Sequence, residues 1–367
     1  MVELKQVFLK KHLITYIGNK RDLLTGINNV IVDIKKKLNQ DYVTSFDGFS
    51  GSGVVARLLK YHSTEVYAND LEKYSCLINS AYLSNPNEKE IDEIKQWMDK
   101  LNSDEHTTEG VISTNYSPKD DTNIQKEDRT FYTNKNARII DTIRKNIDDV
   151  PEHIQKYLMA QLLIKSSIHV NTAGIFKGFY KNKNGVGQFG GEGKNALKRI
   201  TGDIVLEMPI FSKQEHKVDV TVFNEDINVL INDEKLPMVD IAYYDPPYNQ
   251  HPYSSNYFML NLIIENTVDD KTMSKVSGIV QGWNKSNYNY KQTAKNSFNE
   301  LISNTRAKFI VISYNNEGIL QGDDWLEVLK DYKYEKIEVD YNAFKGSRNL
   351  KGREKKVKEI LWVIDRR

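Results

Sequence analysis

The sequence contains very little cysteine and no long apolar run. A single cysteine, Cys76, among 367 residues excludes an internal disulfide framework and a cysteine-rich zinc site. No apolar stretch approaches the roughly 20 residues that cross a bilayer, and the N-terminal residues MVELKQVFLKKHLITYIG lack the apolar core of a signal peptide. We therefore expect a cytoplasmic protein without a membrane partner and without a bound metal.

An excess of charge of either sign is also absent. The 51 Lys and Arg residues and 50 Asp and Glu residues give a formal net charge of +1, unlike the strongly basic balance of a protein coated in nucleic acid. Basic residues nevertheless concentrate in two runs, residues 165–217 and 345–367. Each run could face phosphate groups, or could form an ordinary solvated surface.

The sequence does contain an alternation of strand and helix patterns. Apolar spacing predicts a helix from Leu23 to Leu38. It is followed by a strand, a glycine turn and a helix in VTSFDGFSGSGVVARLLK, and by a strand and a helix in STEVYANDLEKYSCLINSAYL. This order predicts a parallel sheet covered by helices, which is an α/β fold.

The alternation stops near residue 85 and resumes after residue 215. Residues 85–215 contain an acidic helical stretch, a long apolar helical face from Ile154 to Ile168, and a segment at 170–200 whose glycines exclude a regular element. Strand patterns then follow in VDVTVFNED, VDIAYYDPPY, KFIVISYNN, YEKIEVD and KEILWVID. We expect the last two strands to form an antiparallel edge, which would make the sheet mixed.

A glycine loop follows the first predicted strand in SFDGFSGSG. Gly51 and Gly53 can adopt conformations closed to other residues, so the backbone can approach a ligand closely. The loop departs from the dinucleotide-binding pattern G-x-G-x-x-G, because position 56 is alanine. Asp70, at the end of the next predicted strand, could accept hydrogen bonds from ribose hydroxyls or could be the N-cap of the following helix.

Two further stretches suggest ligand contacts. TYIGNKRDLL places Lys20 at a helix start, which suits a carboxylate group, although a plain capping loop has the same composition. Asp226 ends a strand pattern in VFNEDINVL, where it could accept a hydrogen bond from an exocyclic amino group or cap the next helix.

The most specific motif is Asp245-Pro246-Pro247-Tyr248, directly after an apolar strand. The prolines fix the backbone and remove two donors, so the Asp245 carboxylate and the Pro246 carbonyl become two fixed acceptors beside the Tyr248 ring. Two acceptors and a flat ring suit an aromatic amine, and a base in a duplex offers its amine only after it is extruded. The following stretch, HPYSSNYF, could continue the pocket wall or begin a packed helix.

In content and order, TYIGNK, FSGSG, Asn69-Asp70 and DPPY resemble the D12 class of adenine-specific DNA methyltransferases, which includes the Dam enzymes. The resemblance extends to FYTNKNARIIDTIR, NTAGIFKGFY and KEILWVID, and so spans nearly the whole chain. It implies a Rossmann-like methyltransferase fold, with a mixed sheet and helices on both faces. It also implies methyl transfer from S-adenosylmethionine to N6 of an adenine flipped out of double-stranded DNA.

The resemblance implies a role for each candidate site residue. Tyr16 and Lys20 would close over the methionine end of the cofactor, Asp70 would hold its ribose, and Asp226 would lie near its adenine. All cofactor-binding candidates are Tyr16, Gly18, Asn19, Lys20, Asp47, Phe49, Gly51, Gly53, Asp70, Asp226 and Asp245. The catalytic candidates, which would bind the target adenine, are Asp245, Pro246, Pro247 and Tyr248. The chain departs from the family where it has Tyr16 and Gly18-Asn19-Lys20 instead of the frequent Trp and Gly-Gly-Lys.

The resemblance also implies a division of the chain. The catalytic methyltransferase domain would comprise residues 1–84 and 216–367, and residues 85–215 would be an insertion for DNA target recognition. In this insertion basic and aromatic side chains alternate along a glycine-rich segment, which suits phosphate contact but is also compatible with a flexible loop. The DNA-binding candidates are Lys177, Lys181, Lys183, Lys194, Lys198 and Arg199.

Several alternatives share parts of this pattern. An N4-cytosine DNA methyltransferase uses the same pocket chemistry, but its motif more often starts with Ser. A protein-glutamine methyltransferase usually has Asn in place of the Asp, and an RNA methyltransferase is a further alternative. The non-enzymatic alternative is an inactive DNA-binding protein with the same fold. A role in restriction-modification would add a cognate restriction endonuclease that acts on the same site.

Overall fold

The computed structural model describes residues 7–194, 196–213, 216–269, 272–342 and 356–367. Much of the second basic run, residues 345–355, therefore lies outside the described residues. Within the described ranges no helix is both long and apolar enough to cross a membrane.

Seven strands in the described residues form one sheet. They are β1 Val43–Asp47, β2 Ser63–Asn69, β3 Asp219–Phe223, β4 Val239–Tyr244, β5 Ala307–Asn315, β6 Lys333–Asn342 and β7 Lys356–Asp365. Their order in the sheet is β3-β2-β1-β4-β5-β7-β6. The first five strands of this order are parallel, and β7 is antiparallel to both β5 and β6. The sheet is therefore mixed, as the sequence predicts.

The last two strands form the antiparallel edge that the sequence predicts, but their order in the sheet is the reverse of their order in the chain. β7 lies between β5 and β6, and the edge strand is β6. The composition of the strands explains this order, because the centre of β7 is a run of four buried apolar residues, Leu361–Ile364, whereas most described side chains of β6 are exposed. The more apolar strand takes the inner position, where both of its faces are covered.

The helices flank these strands along the chain. The α-helices are α1 Val7–Lys10, α2 Leu24–Leu38, α3 Val54–His62, α4 Lys73–Tyr82, α5 Glu88–Ser103, α6 Val111–Asn115, α7 Asn134–Ile147, α8 Glu152–His169, α9 Leu197–Thr201, α10 Ile227–Leu230, α11 Tyr253–Asn256, α12 Phe258–Glu265, α13 Lys291–Asn304 and α14 Gly322–Leu329. Short 3₁₀ helices span Lys20–Leu23 and Asn287–Asn289. The predicted helices after β1 and β2 are thus confirmed as α3 and α4.

Alternate strand residues point to opposite faces of the sheet, and each face is covered. In β4, Ile241 and Tyr243 join one hydrophobic core, which includes residues of α2, α3, α4, α8 and α12. Ala242 and Tyr244 join a second core with residues of α10, α13 and α14. Helices therefore lie on both faces, which confirms the expected fold class.

Residues between β2 and β3 pack against the rest of the chain. Helix α8 lies beside α4, and its apolar residues belong to the first core. The Asn102 side chain accepts from the Leu206 amide at 2.9 Å and donates to the Leu206 carbonyl at 3.0 Å, which ties the end of this region to α5. The region thus extends the core that already covers the sheet.

The strand order reverses between β1 and β4, which run side by side in parallel. β1 to β5 all end at the same side of the sheet, which we call the carboxyl edge, and begin at the opposite side, the amino edge. In open α/β sheets ligands bind at the carboxyl edge where the strand order reverses.

Candidate functional site

A cleft of about 840 Å³ of empty space opens at the carboxyl edge beside β1 and β4. Its walls come from the N-terminal segment, from the residues after β1, β2, β3 and β4, and from two later segments at 252–254 and 284–289. Ten of the cofactor-binding candidates line it: Tyr16, Gly18, Asn19, Lys20, Asp47, Phe49, Gly51, Asp70, Asp226 and Asp245. Separate stretches of sequence thus converge on one site.

The remaining candidate, Gly53, lies at the end of the glycine loop, where α3 begins. It precedes α3 with a φ of +81°, and a Cβ there would lie 2.5 Å from Asn79 Oδ1. Gly51 also has a positive φ, +48°, and a Cβ there would lie 2.8 Å from a Tyr16 ring carbon. Both positions require glycine, because a side chain would be strained and would collide with a neighbour.

Asp70 holds this loop in place with both of its oxygens. Oδ2 accepts from the Gly51 amide at 2.7 Å, and Oδ1 accepts from the Glu72 amide at 2.9 Å. The N-cap position of α4 is occupied by Glu72, so the alternative that Asp70 is the N-cap is wrong. Burial raises the pKa of Asp70, although these amides lower it.

Cys76 ties the ends of β2 and β3 together next to this carboxylate. Its buried thiol donates to the Phe223 carbonyl at 3.0 Å and to the Asp70 carbonyl at 3.3 Å. Burial raises the pKa of the thiol above its usual value, with the Asp70 carboxylate as a further cause. The thiol therefore stays protonated and acts as a hydrogen-bond donor to the backbone carbonyls of Asp70 and Phe223.

The Asp47 carboxyl group is buried at the end of β1. Neither carboxyl oxygen has a hydrogen-bond partner of good geometry among the described residues. Burial raises its pKa well above the usual range, and the charges of Asp245 and Asp70 add to that rise, while the amides of Phe49 and Ala56 oppose it. Buried polar groups that lack a partner in the protein are candidates for contact with a ligand.

Glu72 is a further acid of the cleft that sequence reasoning missed. It is 4% exposed, and its Oε2 accepts from the Asn261 amide group at 2.8 Å. Burial raises its pKa to about 8, and the neighbouring charge of Asp70 contributes. Its position two residues after Asp70 is the only signal that the sequence offers.

The ionisable residues of the lining are mostly acids. Lys20 is its one cationic residue, against six acids: Asp47, Asp70, Glu72, Glu225, Asp226 and Asp245. Such a cleft favours a ligand that carries positive charge and hydrogen-bond donors.

Asp226 serves two purposes in this wall. It precedes α10, where its side chain accepts from the Asn228 amide at 2.9 Å, so the alternative of a helix cap is confirmed. The residue also lines the cleft.

Lys20 is buried between two carboxylates. Its Nζ lies 2.9 Å from Asp245 Oδ1 and 2.8 Å from Glu359 Oε1. Burial lowers the pKa of Lys20, but the two carboxylates outweigh this effect and hold it well above the usual value. Sequence reasoning missed Glu359, whose signal is an acid directly before the apolar run 360–364 in KEILWVID.

The segment Asp245-Pro246-Pro247-Tyr248 leaves β4 at the rim of the cleft. Burial raises the pKa of Asp245; Lys20 opposes the rise and Glu359 adds to it. Asp245 and Pro247 line the cleft, while the Tyr248 ring packs edge-on against Tyr314 at 6.4 Å between centroids. The Lys20 Nζ lies 5.7 Å from the Tyr248 ring centroid.

HPYSSNYF forms both a wall and a packed helix. The Tyr16 ring stacks against the rings of Tyr253 and Tyr257, at centroid distances of 4.9 and 4.8 Å. The backbone of Ile17 donates to the Tyr257 hydroxyl at 2.7 Å and accepts from the Tyr253 hydroxyl at 3.1 Å. Tyr253 lines the cleft, and Asn256 is buried at the end of α11.

The five lysine candidates of the glycine-rich segment differ in their exposure to solvent. Lys181, Lys183, Lys194 and Lys198 are exposed, and Lys177 is half-buried with its Nζ 3.4 Å from His251 Nδ1.

Arg199 differs from these lysines. Its guanidinium donates to the carbonyls of Ile168, Val170 and Thr172, where it holds the chain after α8. These bonds explain Arg199 as a structural residue, so we do not propose it as a DNA contact.

The chain is similar to known methyltransferases over nearly all of its length. Residues 16–326 match the model of the D12 class N6 adenine-specific DNA methyltransferase family. The type II methyltransferase M.CviAII of Paramecium bursaria Chlorella virus 1 is 29% identical over 96% of this chain and 98% of its own length. M.NlaIII of Neisseria lactamica is 28% identical over 96% and 99%. The modification methylase StsI of Streptococcus sanguinis is 28% identical over 96% of this chain, which spans 52% of that protein.

Proposed function

Because this chain belongs to the D12 class of N6 adenine-specific DNA methyltransferases, we propose that its cleft binds S-adenosylmethionine beside a pocket for the target adenine. The family assignment favours adenine in DNA over the alternative substrates, which are cytosine, RNA and protein. The observation that carries the proposal is the position of Asp245, at the end of β4 and on the rim of an acid-rich cleft.

The chemistry of the cleft fits this cofactor. S-adenosylmethionine carries a sulfonium, an ammonium, ribose hydroxyls and an adenine amino group, and the six acids of the lining suit these cations and donors. The buried Asp47 carboxylate, which lacks a protein partner of good geometry, supplies free acceptors at the end of β1. When bound, the cofactor supplies an already activated methyl group, so the protein needs no metal and no covalent nucleophile.

We assign roles to the lining residues as follows. Asp70 accepts from the ribose hydroxyls, and Asp226 accepts from the amino group of the cofactor's adenine. Phe49, Gly51 and Gly53 shape the loop that admits the cofactor close to the backbone. The N-terminal residues Tyr16, Gly18, Asn19 and Lys20 close the methionine end.

Catalysis at the target base rests on positioning. The Asp245 carboxylate and the Pro246 carbonyl accept from the N6 amino group, and Pro247 and Tyr248 hold the base beside them. These hydrogen bonds favour a pyramidal nitrogen whose lone pair is free to attack, and the pocket aligns it for a direct in-line displacement. A proton leaves the nitrogen after the methyl group has been transferred.

The decisive experiment identifies the methylated base directly. The protein is incubated with S-adenosylmethionine and a plasmid, and the DNA is sequenced by a method that reads methylated bases. We expect N6-methyladenine in one sequence context, and no mark when the cofactor is omitted. N4-methylcytosine, or no mark with the cofactor, would contradict the proposal; DNA binding without any mark would favour an inactive protein.

We propose that the insertion, residues 85–215, contacts the DNA backbone. The exposed Lys181, Lys183, Lys194 and Lys198 and the half-buried Lys177 supply positive charge on one glycine-rich segment. DNA affinity should then fall steeply with salt, and each Lys→Ala change should reduce the slope of log K against log salt by about 1. Lys36, which is exposed on α2 outside the insertion, serves as a control for a change of net charge.

We also propose that the chain is the modification enzyme of a restriction-modification system with a cognate endonuclease. The support is that its relatives are named as type II methyltransferases and modification methylases. Plasmid methylated by the protein should resist cleavage by an endonuclease that recognises the methylated sequence.

A further inference from the structure

We propose that Glu359 is a positioning residue for methyl transfer, which shares Lys20 with Asp245 and thereby leaves Asp245 with net negative charge towards the target amine. This inference rests on the proposed function, because it concerns the same pocket. It adds a residue from β7, about 110 positions after Asp245 along the chain, to the catalytic arrangement.

Glu359 is held rigidly in the sheet. It is fully buried, and it lies in β7 opposite Asn315 of β5. Its Oε1 lies 2.8 Å from Lys20 Nζ and accepts from the Ser313 hydroxyl at 2.5 Å. A group fixed by two strands and a hydroxyl donor can hold the lysine in one orientation, and supporting contacts of this kind keep a functional site in its productive geometry.

Fold stability alone does not explain this carboxylate. Burying an ion is unfavourable unless it is paired and hydrogen-bonded, and the second oxygen, Oε2, is buried without a hydrogen-bond partner among the described residues. A single carboxylate would already neutralise Lys20. The buried Asp240, at the amino edge, shows that one cation is sufficient for one buried carboxylate. Within the described ranges it pairs with Lys308 alone, and it accepts hydrogen bonds from the amide and the hydroxyl of Thr44.

The charges show what Glu359 adds. Lys20 and Asp245 alone would sum to zero, whereas Lys20 with both carboxylates sums to −1. During transfer the amine nitrogen uses its lone pair to bond the methyl carbon, and the electrons of the carbon–sulfur bond leave with sulfur. The nitrogen is then positively charged until it loses a proton. A fixed negative charge beside it stabilises this charge in a site from which water is excluded.

The geometry also leaves one acceptor available. Lys20 contacts Asp245 through Oδ1, which leaves Oδ2 as the oxygen for the target amine. If Lys20 had no second partner, it could move across both oxygens of Asp245 and compete with the amine for them. Glu359 holds the ammonium on the Oδ1 side.

The test compares Glu359→Gln with the wild type under saturating cofactor and DNA. We expect kcat to fall about tenfold or more, the factor that corresponds to about 1.4 kcal/mol of lost transition-state stabilisation. KM for DNA and for S-adenosylmethionine should change less than kcat. The acid limb of the kcat–pH profile should move to lower pH, because removal of a neighbouring negative charge lowers the pKa of Asp245.

Asp240→Asn is the matched control, because it removes a buried carboxylate from the same sheet at the amino edge. It should keep kcat within about twofold and leave the acid limb unmoved. A Glu359→Gln protein that is folded, with kcat within about twofold of wild type and an unmoved acid limb, would overturn the inference. If this variant does not fold, Ser313→Ala decides instead: a reduced kcat supports the inference and an unchanged kcat overturns it. Absence of methylation by the wild type would contradict the proposed function itself.

Discussion

Asp240 and Asp245 lie at opposite ends of strand β4, and the protein compensates them differently. At the amino edge, Asp240 accepts from the Thr44 amide at 2.8 Å and from its hydroxyl at 3.2 Å, and pairs with Lys308 at 2.7 Å. At the carboxyl edge, Asp245 pairs with Lys20, which also serves Glu359. The first acid is satisfied by the fold, whereas the second shares its cation with another carboxylate, as we propose for a residue that serves a ligand.

The same contrast extends over the whole carboxyl edge. Asp47, Asp70 and Glu72 are buried and Asp245 is half-buried in the same cleft, and burial raises the pKa of each. Acids that are held in this way make the empty cleft less stable than an apolar core would be, and groups with strongly shifted pKa values concentrate at functional sites. The amino edge therefore contributes stability, and the carboxyl edge contributes chemistry.

The largest expected effect separates the two ends of β4. Asp245→Ala should reduce kcat by about 1,000-fold or more, because it removes an acceptor of the target amine. The free energy of unfolding should change little, since Lys20 keeps Glu359 as its partner. Steady-state methylation and urea unfolding measure both quantities, and binding of cofactor and DNA should persist in part. Turnover close to wild type would contradict the assignment of Asp245.

Asp70→Ala should weaken cofactor binding, as the next largest effect. The change removes the proposed acceptors of the ribose hydroxyls and leaves the Gly51 and Glu72 amides without their partner. Hydrogen bonds to charged groups contribute about 1.5–3 kcal/mol, so Kd for S-adenosylmethionine should rise about 10- to 150-fold. Calorimetric titration measures Kd, and Asp22→Ala, in the 3₁₀ helix before α2, provides a control. An unchanged Kd would remove Asp70 from the site.

Asp240→Asn should produce the opposite result to Asp245→Ala. We expect a loss of about 1–3 kcal/mol of unfolding free energy, because the Lys308 pair and part of the Thr44 hydrogen bonding are lost. Methylation by the folded variant should stay within about twofold of wild type. Urea unfolding followed by circular dichroism checks the first expectation. A stable variant with a large loss of kcat would show that the two edges are not functionally separate.

Glu72→Gln should give the smallest effect, and one that depends on pH. The pKa of Glu72 is raised in the folded state to about 8 from an ordinary 4.5, so the unfolded chain releases this proton first. The contribution of Glu72 to stability is therefore present in full below about pH 4.5 and is lost as pH rises towards 8.

The Glu72→Gln variant has no group that ionises at this position, so its stability does not decrease in this way as pH rises. Its melting temperature should exceed that of wild type by about 1–3 °C at pH 8.5 and converge with it at pH 4.5. Thermal scans at a series of pH values without ligand test the sign, and a constant difference across the range would contradict it.

The sequence predicts the elements of the cleft well, because each is a local pattern. The glycine loop, the acid after β2 and the prolines after β4 are short stretches, and parallel strands bring their ends to one edge. The order of strands among β5, β6 and β7 is not local. It depends on which strand of the last pair is apolar enough to be covered on both faces, so the sequence predicts the antiparallel edge but not which of its two strands is outermost.

The contacts that complete the site depend on long-range packing. Lys20 and Glu359 are separated by 339 positions in sequence, and neither stretch indicates the other. The stacking of Tyr16 against Tyr253 and Tyr257 likewise arises only after folding. The carbonyl contacts of Arg199 are also not visible in the sequence, because an arginine in a basic run is indistinguishable there from one that binds backbone carbonyls.

The single thiol of the chain provides a chemical reporter for the cleft. Cys76 is buried, and its Sγ bridges the carbonyls of Asp70 and Phe223 at the floor where β2 and β3 end. Because Cys76 is only 9% exposed, we expect a thiol reagent to react with it mainly when these two strand ends separate, so that the labelling rate reports how often this half of the cleft opens. Ligand that closes this half will slow the labelling, and the unmodified protein can report occupancy without an engineered probe.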